Sequence, residues 1–143
     1  MRINFSPPDI TELEINEVVE ALKSGWITTG PRTKELEKKI AHQLGTPKSV
    51  CLNSATAALE MSLRVLGIGP GDEVITSAYS YTASASPVVH VDATLVLVDT
   101  QKDAYEMDYD AVARAITPKT KAIYAVDYAG FPCEMDKINE IAN

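Results

Sequence analysis

A run of small and hydroxyl-bearing residues, 53–59, has the composition of an anion-binding turn. An apolar segment precedes it and a helical pattern follows it, so the run should join the end of a strand to the start of a helix. The first turn of a helix has free backbone N–H groups, and the hydroxyls of Ser54 and Thr56 would lie beside them. Such a turn suits a phosphate group. In the alternative interpretation, Ser54 only caps the helix and the neighbouring alanines only pack.

Two tyrosines follow the next predicted strand, within residues 76–84. Because ligands of α/β proteins bind where parallel strands end, Tyr79 and Tyr81 should open on the same edge as the predicted phosphate site. An aromatic ring beside a phosphate site can stack on a flat heteroaromatic ligand. The alternative is that one tyrosine belongs to the core and the other to the surface.

Two further segments carry candidate residues. Asp127 follows a third predicted strand, and its carboxylate can accept a hydrogen bond from a ligand or a neighbouring loop, or cap the bend that follows it. Trp26 lies in a loop bounded by glycines, residues 25–31. A tryptophan there is more typical of a packing anchor or an interface than of direct catalysis.

Short apolar strands alternate with helices from residue 49 onward. The pattern predicts strands over residues 49–52, 73–76, 94–98 and 121–126. It predicts helices over residues 55–66, 81–91 and 109–116, and from residue 136 onward. The strands are almost continuously apolar, as strands buried on both faces must be, so the sequence predicts an α/β fold with a parallel sheet.

The first 47 residues predict a peripheral helical segment. Thr11 and Glu14 form a capping box that starts one helix, and Ser24 with Gly25 ends it. A second helix should end at Gly45.

Composition excludes several function classes. The chain has 143 residues, is 45% apolar and carries a formal net charge of −7, so it can bury a core, and nucleic acid is a poor partner. No segment is long and apolar enough to span a bilayer, and the N-terminus has no signal-peptide core, so we expect a cytoplasmic protein without a membrane partner. Cys51, expected to be buried, and Cys133, in a turn, form neither a disulfide framework nor a metal site. The usual nucleotide-binding fingerprints are absent.

In this order, the segments resemble the DegT/DnrJ/EryC1/StrS sugar aminotransferases, a branch of the fold type I enzymes that use pyridoxal 5′-phosphate (PLP). The likeness runs from about Phe5 to Asn143. The segments that carry it are residues 24–31, 53–59, 71–76, 92–99 and 117–123. The resemblance implies a parallel-sheet, three-layer large domain of the aspartate aminotransferase type, truncated, with residues 1–47 as an N-terminal helical arm and residues 48–143 as the first part of the PLP-binding domain.

The same resemblance implies roles for particular residues. Ser54, Ala55 and Thr56 would hold the cofactor phosphate, and Tyr81 would stack on the pyridine ring. The residues expected at the substrate entrance and dimer contact are Trp26, Thr28, Thr29, Gly30 and Asp127. Within the family, the chain looks like the enzymes that aminate a 4-keto sugar on UDP or another nucleotide. The resemblance implies glutamate as the amino donor and a homodimer as the assembly.

Two positions depart from the family pattern: Asp127 stands where histidine is usual, and Ser77 where proline is usual. No lysine here lies in the family's Schiff-base setting, and that lysine would come beyond Asn143, so the chain by itself should be inactive. Its uncovered sheet surface should drive association. Two alternatives stay open. One is a non-catalytic α/β module that binds a phosphorylated ligand or a partner chain. The other is a PLP-dependent sugar dehydratase of the same family, in which histidine replaces the lysine.

Overall fold

The computed structural model describes residues 7–143. The predicted start of the family likeness, at Phe5, and the rest of residues 1–6 lie outside the described part. The chain divides into two compact units, of which the first ends at Cys51 and the second begins at Leu52. The division separates a helical segment from the segment that holds all the strands of the described residues.

The first unit contains two helices, α1 (Glu12–Lys23) and α2 (Pro31–Leu44). The predicted capping box is present, since the carboxylate of Glu14 accepts a hydrogen bond from the N–H of Thr11 at 2.6 Å. A glycine with positive φ ends α2 as predicted, at Gly45. The apolar residues of α1 are exposed, by 62% at Leu22.

The second unit is built on three parallel strands in the order β2-β1-β3. Their bounds are Glu73–Ser77 for β1, Thr94–Val98 for β2 and Thr120–Tyr124 for β3. In the central strand, Ile75 pairs with Val96 on one side and with Ile123 on the other. The helices of this unit are α3 (Ala55–Val65), α4 (Ser86–His90), α5 (Tyr109–Ala115) and α6 (Met135–Ala142).

Helices cover both faces of the sheet. Leu63 of α3 packs with Val74 on one face, where α4 also lies. Val112 of α5 and Ile138 of α6 pack with Ile75 on the other. Because Val74 and Ile75 are neighbours in the central strand, they point to opposite faces. This three-layer arrangement around a parallel sheet confirms the predicted fold class.

The prediction of a strand over residues 49–52 is wrong. This segment forms no strand in the structure, and Val50 is 75% exposed. A strand needs a neighbour for its backbone groups, and the strand pairings of the described residues, β1 with β2 and β1 with β3, do not include this segment. The same irregular geometry leaves Cys51 half-buried rather than buried.

The prediction of a continuous helix over residues 81–91 is also wrong. The chain forms a 3-10 turn (Thr82–Ser84) and then the short helix α4. Pro87 lies near the start of α4 and has no N–H group to continue a preceding helix, so a new helix begins there.

Candidate functional site

The start of α3 lies at the edge of the sheet where the strands end. Residues 66–72 connect the end of α3 directly to the start of β1, and the N–H of Gly69 donates to the Asp72 carboxylate at 3.0 Å within this turn. A connection this short makes α3 run antiparallel to β1, which puts its first turn beside the strand ends. A hydrogen bond supports this placement: the hydroxyl of Tyr124, the last residue of β3, donates to the carbonyl of Leu59 at 2.7 Å. The predicted phosphate site therefore lies at the edge where α/β proteins bind ligands.

The first turn of α3 contains backbone N–H groups that make no hydrogen bond within the described residues. The Ser54 hydroxyl accepts a hydrogen bond from Ala57 N at 3.1 Å, and the Ser54 carbonyl accepts one from Ala58 N at 3.2 Å. Within residues 7–143, the N–H groups of Ala55 and Thr56 have no hydrogen-bond partner. Ser54 thus has the capping role that the sequence left open, and the turn still offers two N–H groups at a helix start, where an anion is stabilised.

Tyr81 lies just beyond the end of β1, at the same edge. The residue is 81% exposed, and the 3-10 turn that follows it contacts α3. Tyr79 is 46% exposed, so neither tyrosine belongs to the core, and the alternative that placed one of them there is wrong. The structure brings Tyr81 and the start of α3 to one edge and leaves the ring available for stacking. A cofactor-binding role for these residues stays a prediction.

Asp127 organises the loop that follows β3. Its Oδ1 atom accepts a hydrogen bond from Cys133 N at 3.0 Å, and its carbonyl accepts one from Gly130 N at 3.1 Å. The Cys133 thiol is buried and donates to the Val126 carbonyl at 3.3 Å. Burial first, and then the Asp127 carboxylate, raises the pKa of this thiol. The carboxylate of Asp127 therefore has a partner within its own loop, and its contact with substrate stays a prediction.

In the first unit, the Trp26 loop is folded on itself. The indole N–H donates to the Thr29 carbonyl at 3.0 Å, and the ring lies against Gly30, where a Cβ atom would overlap it. Gly30 has an extended φ of −159°, which any residue can adopt, so glycine is required there for space. Thr28 and Thr29 are exposed. A place for this loop at a substrate entrance or dimer contact stays a prediction.

A cluster of three tyrosines, missed by the sequence analysis, lies at the strand-end edge. The ring centroid of Tyr128 is 4.8 Å from that of Tyr79 and 5.4 Å from that of Tyr105. The Tyr128 hydroxyl donates to the Tyr79 hydroxyl at 3.4 Å, and this contact is the main cause that raises the pKa of Tyr79. The signal in the sequence was present, because at least one tyrosine follows each strand before the next α-helix begins.

The described residues fit one end and one face of PLP. The free N–H groups of Ala55 and Thr56 suit the phosphate, and the exposed ring of Tyr81 suits the face of a pyridine. Residues 53–59 contain no lysine or arginine, so within this run the groups available to a phosphate are backbone N–H groups and hydroxyls.

Residues 7–143 show neither a metal site nor a membrane span. This range holds no group of three or more His, Cys, Asp or Glu side chains placed to bind a metal ion. No helix in it combines the length and the apolar content that a membrane crossing needs.

The fold is a three-layer α/β domain built on a parallel sheet, and comparison with known proteins assigns its family. The chain belongs to the DegT/DnrJ/EryC1/StrS aminotransferase family, which matches residues 8–143. The match confirms the resemblance drawn from the sequence.

Three relatives show the range of this similarity. Spr1654 of Streptococcus pneumoniae, named as a sugar aminotransferase, is 60% identical in its PLP-form and PMP-form, with a TM-score of 0.92 over 99% of this chain and 36% of Spr1654. The spore coat polysaccharide biosynthesis protein SpsC of Bacillus subtilis is 41% identical over 96% of this chain and 36% of SpsC. The GDP-4-keto-6-deoxy-D-mannose-3-dehydratase of E. coli, solved with hydrated PLP, is 26% identical, with a TM-score of 0.87 over 95% of this chain and 36% of the dehydratase.

These comparisons confirm PLP as the cofactor of the related proteins. They also show that the chain spans little more than a third of the length of each relative, 36% in all three cases.

Proposed function

We propose that this chain is the cofactor-phosphate-binding part of a cytoplasmic PLP-dependent aminotransferase. The full enzyme would convert a 4-keto sugar on UDP or another nucleotide to an amino sugar for polysaccharide biosynthesis, with glutamate as amino donor. One observation carries the proposal: the N–H groups of Ala55 and Thr56, which have no hydrogen-bond partner within residues 7–143, lie at the same sheet edge as the exposed Tyr81. Membership of a sugar aminotransferase family and the names of Spr1654 and SpsC support the sugar substrate.

Each residue has a separate task in this proposal. Ser54 fixes the first turn of α3, and Ala55 and Thr56 donate to the phosphate, which anchors the cofactor. Tyr81 orients the ring and excludes water from one of its faces. When bound, PLP carries the amino group from the donor to the keto sugar.

The remaining predicted site residues belong to the substrate entrance of a homodimer: Trp26, Thr28, Thr29, Gly30 and Asp127. No catalytic residue is assigned within the chain, so we propose that the chain by itself does not transfer an amino group.

One donor of the proposed phosphate site can be removed without breaking the helix. Ala55 is the first residue of α3, a position where proline is favoured because the helix does not use its N–H group. Ser54 is extended, with φ −161° and ψ 157°, as a residue before proline must be. Ala55→Pro therefore deletes one of the two donors. Glu12→Pro is the matched control, because Glu12 is the first residue of α1 and follows the extended residue Thr11.

Binding is measured by NMR titration of backbone amides with pyridoxamine 5′-phosphate, which has no aldehyde to react with surface lysines. We expect the largest shifts at Ala55 and Thr56, and weaker shifts with pyridoxamine, which lacks the phosphate. A hydrogen bond to a charged group contributes about 1.5 kcal/mol or more, so Ala55→Pro should weaken binding roughly tenfold. Glu12→Pro should leave it unchanged. Equal binding by both proline variants, or shifts remote from α3, would contradict the phosphate site.

The reaction itself is tested in a longer polypeptide. The longest natural form of the protein is supplied with PLP and glutamate and offered a UDP-linked 4-keto sugar. Formation of the amino sugar with consumption of glutamate supports the aminotransferase.

A dehydratase is the second candidate, favoured by the similarity to the E. coli enzyme. Loss of a hydroxyl group from the sugar, with no amino group incorporated, would identify that reaction in the longest natural form of the protein. A non-catalytic module would instead bind pyridoxamine phosphate and yield neither product in that form.

A further inference from the structure

Tyr124 joins the end of β3 to the helix that carries the predicted phosphate site. Its ring packs against the apolar cluster between the sheet and α3, to which Leu63 belongs. Its hydroxyl donates to the Leu59 carbonyl at 2.7 Å and lies 3.4 Å from the hydroxyl oxygen of Ser62. Within residues 7–143, no other hydrogen bond runs between the strands and α3.

The contact of the Tyr124 hydroxyl lies close to the start of α3. Leu59 comes one helical turn after Ala55, which is about 6 Å along the axis at a rise of roughly 1.5 Å per residue. Leu63, the buried side chain of this helix, lies a further turn away. Ala55 and the residues from Leu52 onward that precede it are exposed, so core packing alone does not fix the position of the first turn.

Tyr124 is itself fixed at the end of its strand. Its carbonyl accepts a hydrogen bond from the hydroxyl of Thr76 at 3.2 Å, and Thr76 is fully buried in β1. Burial raises the pKa of Tyr124 above 10.0, so the phenol is neutral at pH 7 and can donate. A strand end that is held by the central strand therefore presents a donor to one carbonyl of α3.

We propose that Tyr124 is a positioning residue for the phosphate-binding turn. Its hydroxyl holds the start of α3 at the strand-end edge, so that the N–H groups of Ala55 and Thr56 face the phosphate of a ligand whose ring lies on Tyr81. Tyr124 therefore contributes to the affinity for a phosphorylated ligand and not to that for the same ligand without its phosphate. This inference rests on the phosphate site of the proposed function, and it does not depend on the aminotransferase reaction.

The test removes the hydroxyl and keeps the ring. Tyr124→Phe is titrated with pyridoxamine 5′-phosphate and with pyridoxamine, and binding is followed by NMR at the backbone amides of Ala55 and Thr56. Loss of one hydrogen bond that holds the binding groups in place should weaken binding of pyridoxamine 5′-phosphate about fivefold. The affinity for pyridoxamine should stay the same as in the wild type.

Tyr109→Phe is the matched control for a general loss of stability. Tyr109 is buried, and its hydroxyl takes part in hydrogen bonds with Glu106 and Glu134. Its ring packs with Ile75 on the face of the sheet opposite to α3. This variant should therefore be less stable than the wild type but bind pyridoxamine 5′-phosphate with unchanged affinity.

A combined variant tests how Tyr124 acts on the ligand. In Ala55→Pro, one of the two proposed donors is already absent, so adding Tyr124→Phe should weaken binding by a smaller factor than it does in the wild type. Groups that act through one another show such non-additive effects, whereas independent groups give factors that multiply.

Four results would overturn the positioning role and leave the phosphate site standing. They are an unchanged affinity in Tyr124→Phe, an equal loss in Tyr109→Phe, an equal loss for pyridoxamine, and factors that multiply in the combined variant. A wild type whose Ala55 and Thr56 amides do not respond to pyridoxamine 5′-phosphate would overturn the phosphate site and the role of Tyr124 together. Binding that follows the expected pattern without formation of an amino sugar supports the role of Tyr124 and counts only against the proposed reaction.

Discussion

Tyr109 connects the start of α5 to the start of α6, and its hydroxyl can be removed with little change in shape. The hydroxyl donates to the Glu106 carboxylate at 2.7 Å and accepts from Glu134 N at 2.8 Å. The residue is 7% exposed. Tyr109→Phe keeps the ring in the core but removes both hydrogen bonds, and it leaves the N–H of Glu134, the N-cap residue of α6, without its partner.

The expected loss follows from these contacts. A typical neutral hydrogen bond contributes about 1 kcal/mol to stability, and one to a charged group contributes about 1.5–3 kcal/mol. Glu106 is only partly buried, so water can replace one of the lost bonds. We therefore expect the free energy of unfolding to fall by about 2 kcal/mol, and Tm by roughly 8 °C. Urea unfolding followed by circular dichroism measures the difference, with Tyr105→Phe as control because Tyr105 is 60% exposed.

The pH dependence provides a second measurement of the same group. Burial first, and then the hydrogen bond to Glu106, raises the pKa of Tyr109 from 10.0 to about 12. A raised pKa in the folded state means that the neutral phenol stabilises the fold below pH 10, and that this contribution is lost as the pH rises from about 10 to about 12. The difference in the free energy of unfolding between the wild type and Tyr109→Phe should become smaller over that pH range. A difference that stays constant, or a variant as stable as the wild type at pH 7, would refute this account of Tyr109.

Three further changes test the packing, the cap and the surface charges. Leu63→Ala, at a fully buried position, should lower the free energy of unfolding by about 2–5 kcal/mol in urea titrations. Ser54→Ala removes the cap of α3 and should cost about 1 kcal/mol in the same assay. The hydrogen bond from Arg64, and then that from His90, lowers the pKa of Glu60 below 4.5, so this carboxylate stabilises the fold above pH 4.5 and loses that effect as the pH falls through its folded pKa. Glu60→Gln should accordingly lower Tm slightly at pH 7, and this difference in Tm should shrink as the pH falls below 4.5.

The sequence predicted those elements whose signals are local. The capping box at Thr11 and the glycine at Gly45 act within one turn of the chain, and both are present in the structure. The near-continuous apolar strands predicted a parallel sheet because burial on both faces leaves few positions for polar residues. The predicted strand over residues 49–52 failed because strand formation depends on a neighbour that the segment itself does not specify.

Site prediction from sequence has the same limit. The cap at Ser54 and the exposed ring of Tyr81 follow from local sequence together with the rule that strand ends gather at one edge. The tyrosine cluster escaped prediction because Tyr79, Tyr105 and Tyr128 meet only through the sheet. The feature of the sequence that groups these three tyrosines is thus their position after the strand ends, not their spacing along the chain.

The tryptophan of the Trp26 loop is held in place before the loop meets any binding partner. The indole is held by the carbonyl of Thr29 and rests in the space that Gly30 leaves free. Immobilising a large side chain on binding normally opposes association through lost rotamer freedom. Here that freedom is already restricted before any encounter, so a surface that recognises the exposed face of the indole meets a rigid feature and can bind it quickly. A methyl group added at Gly30 would overlap the indole and displace it, and the loop would then present a flexible tryptophan.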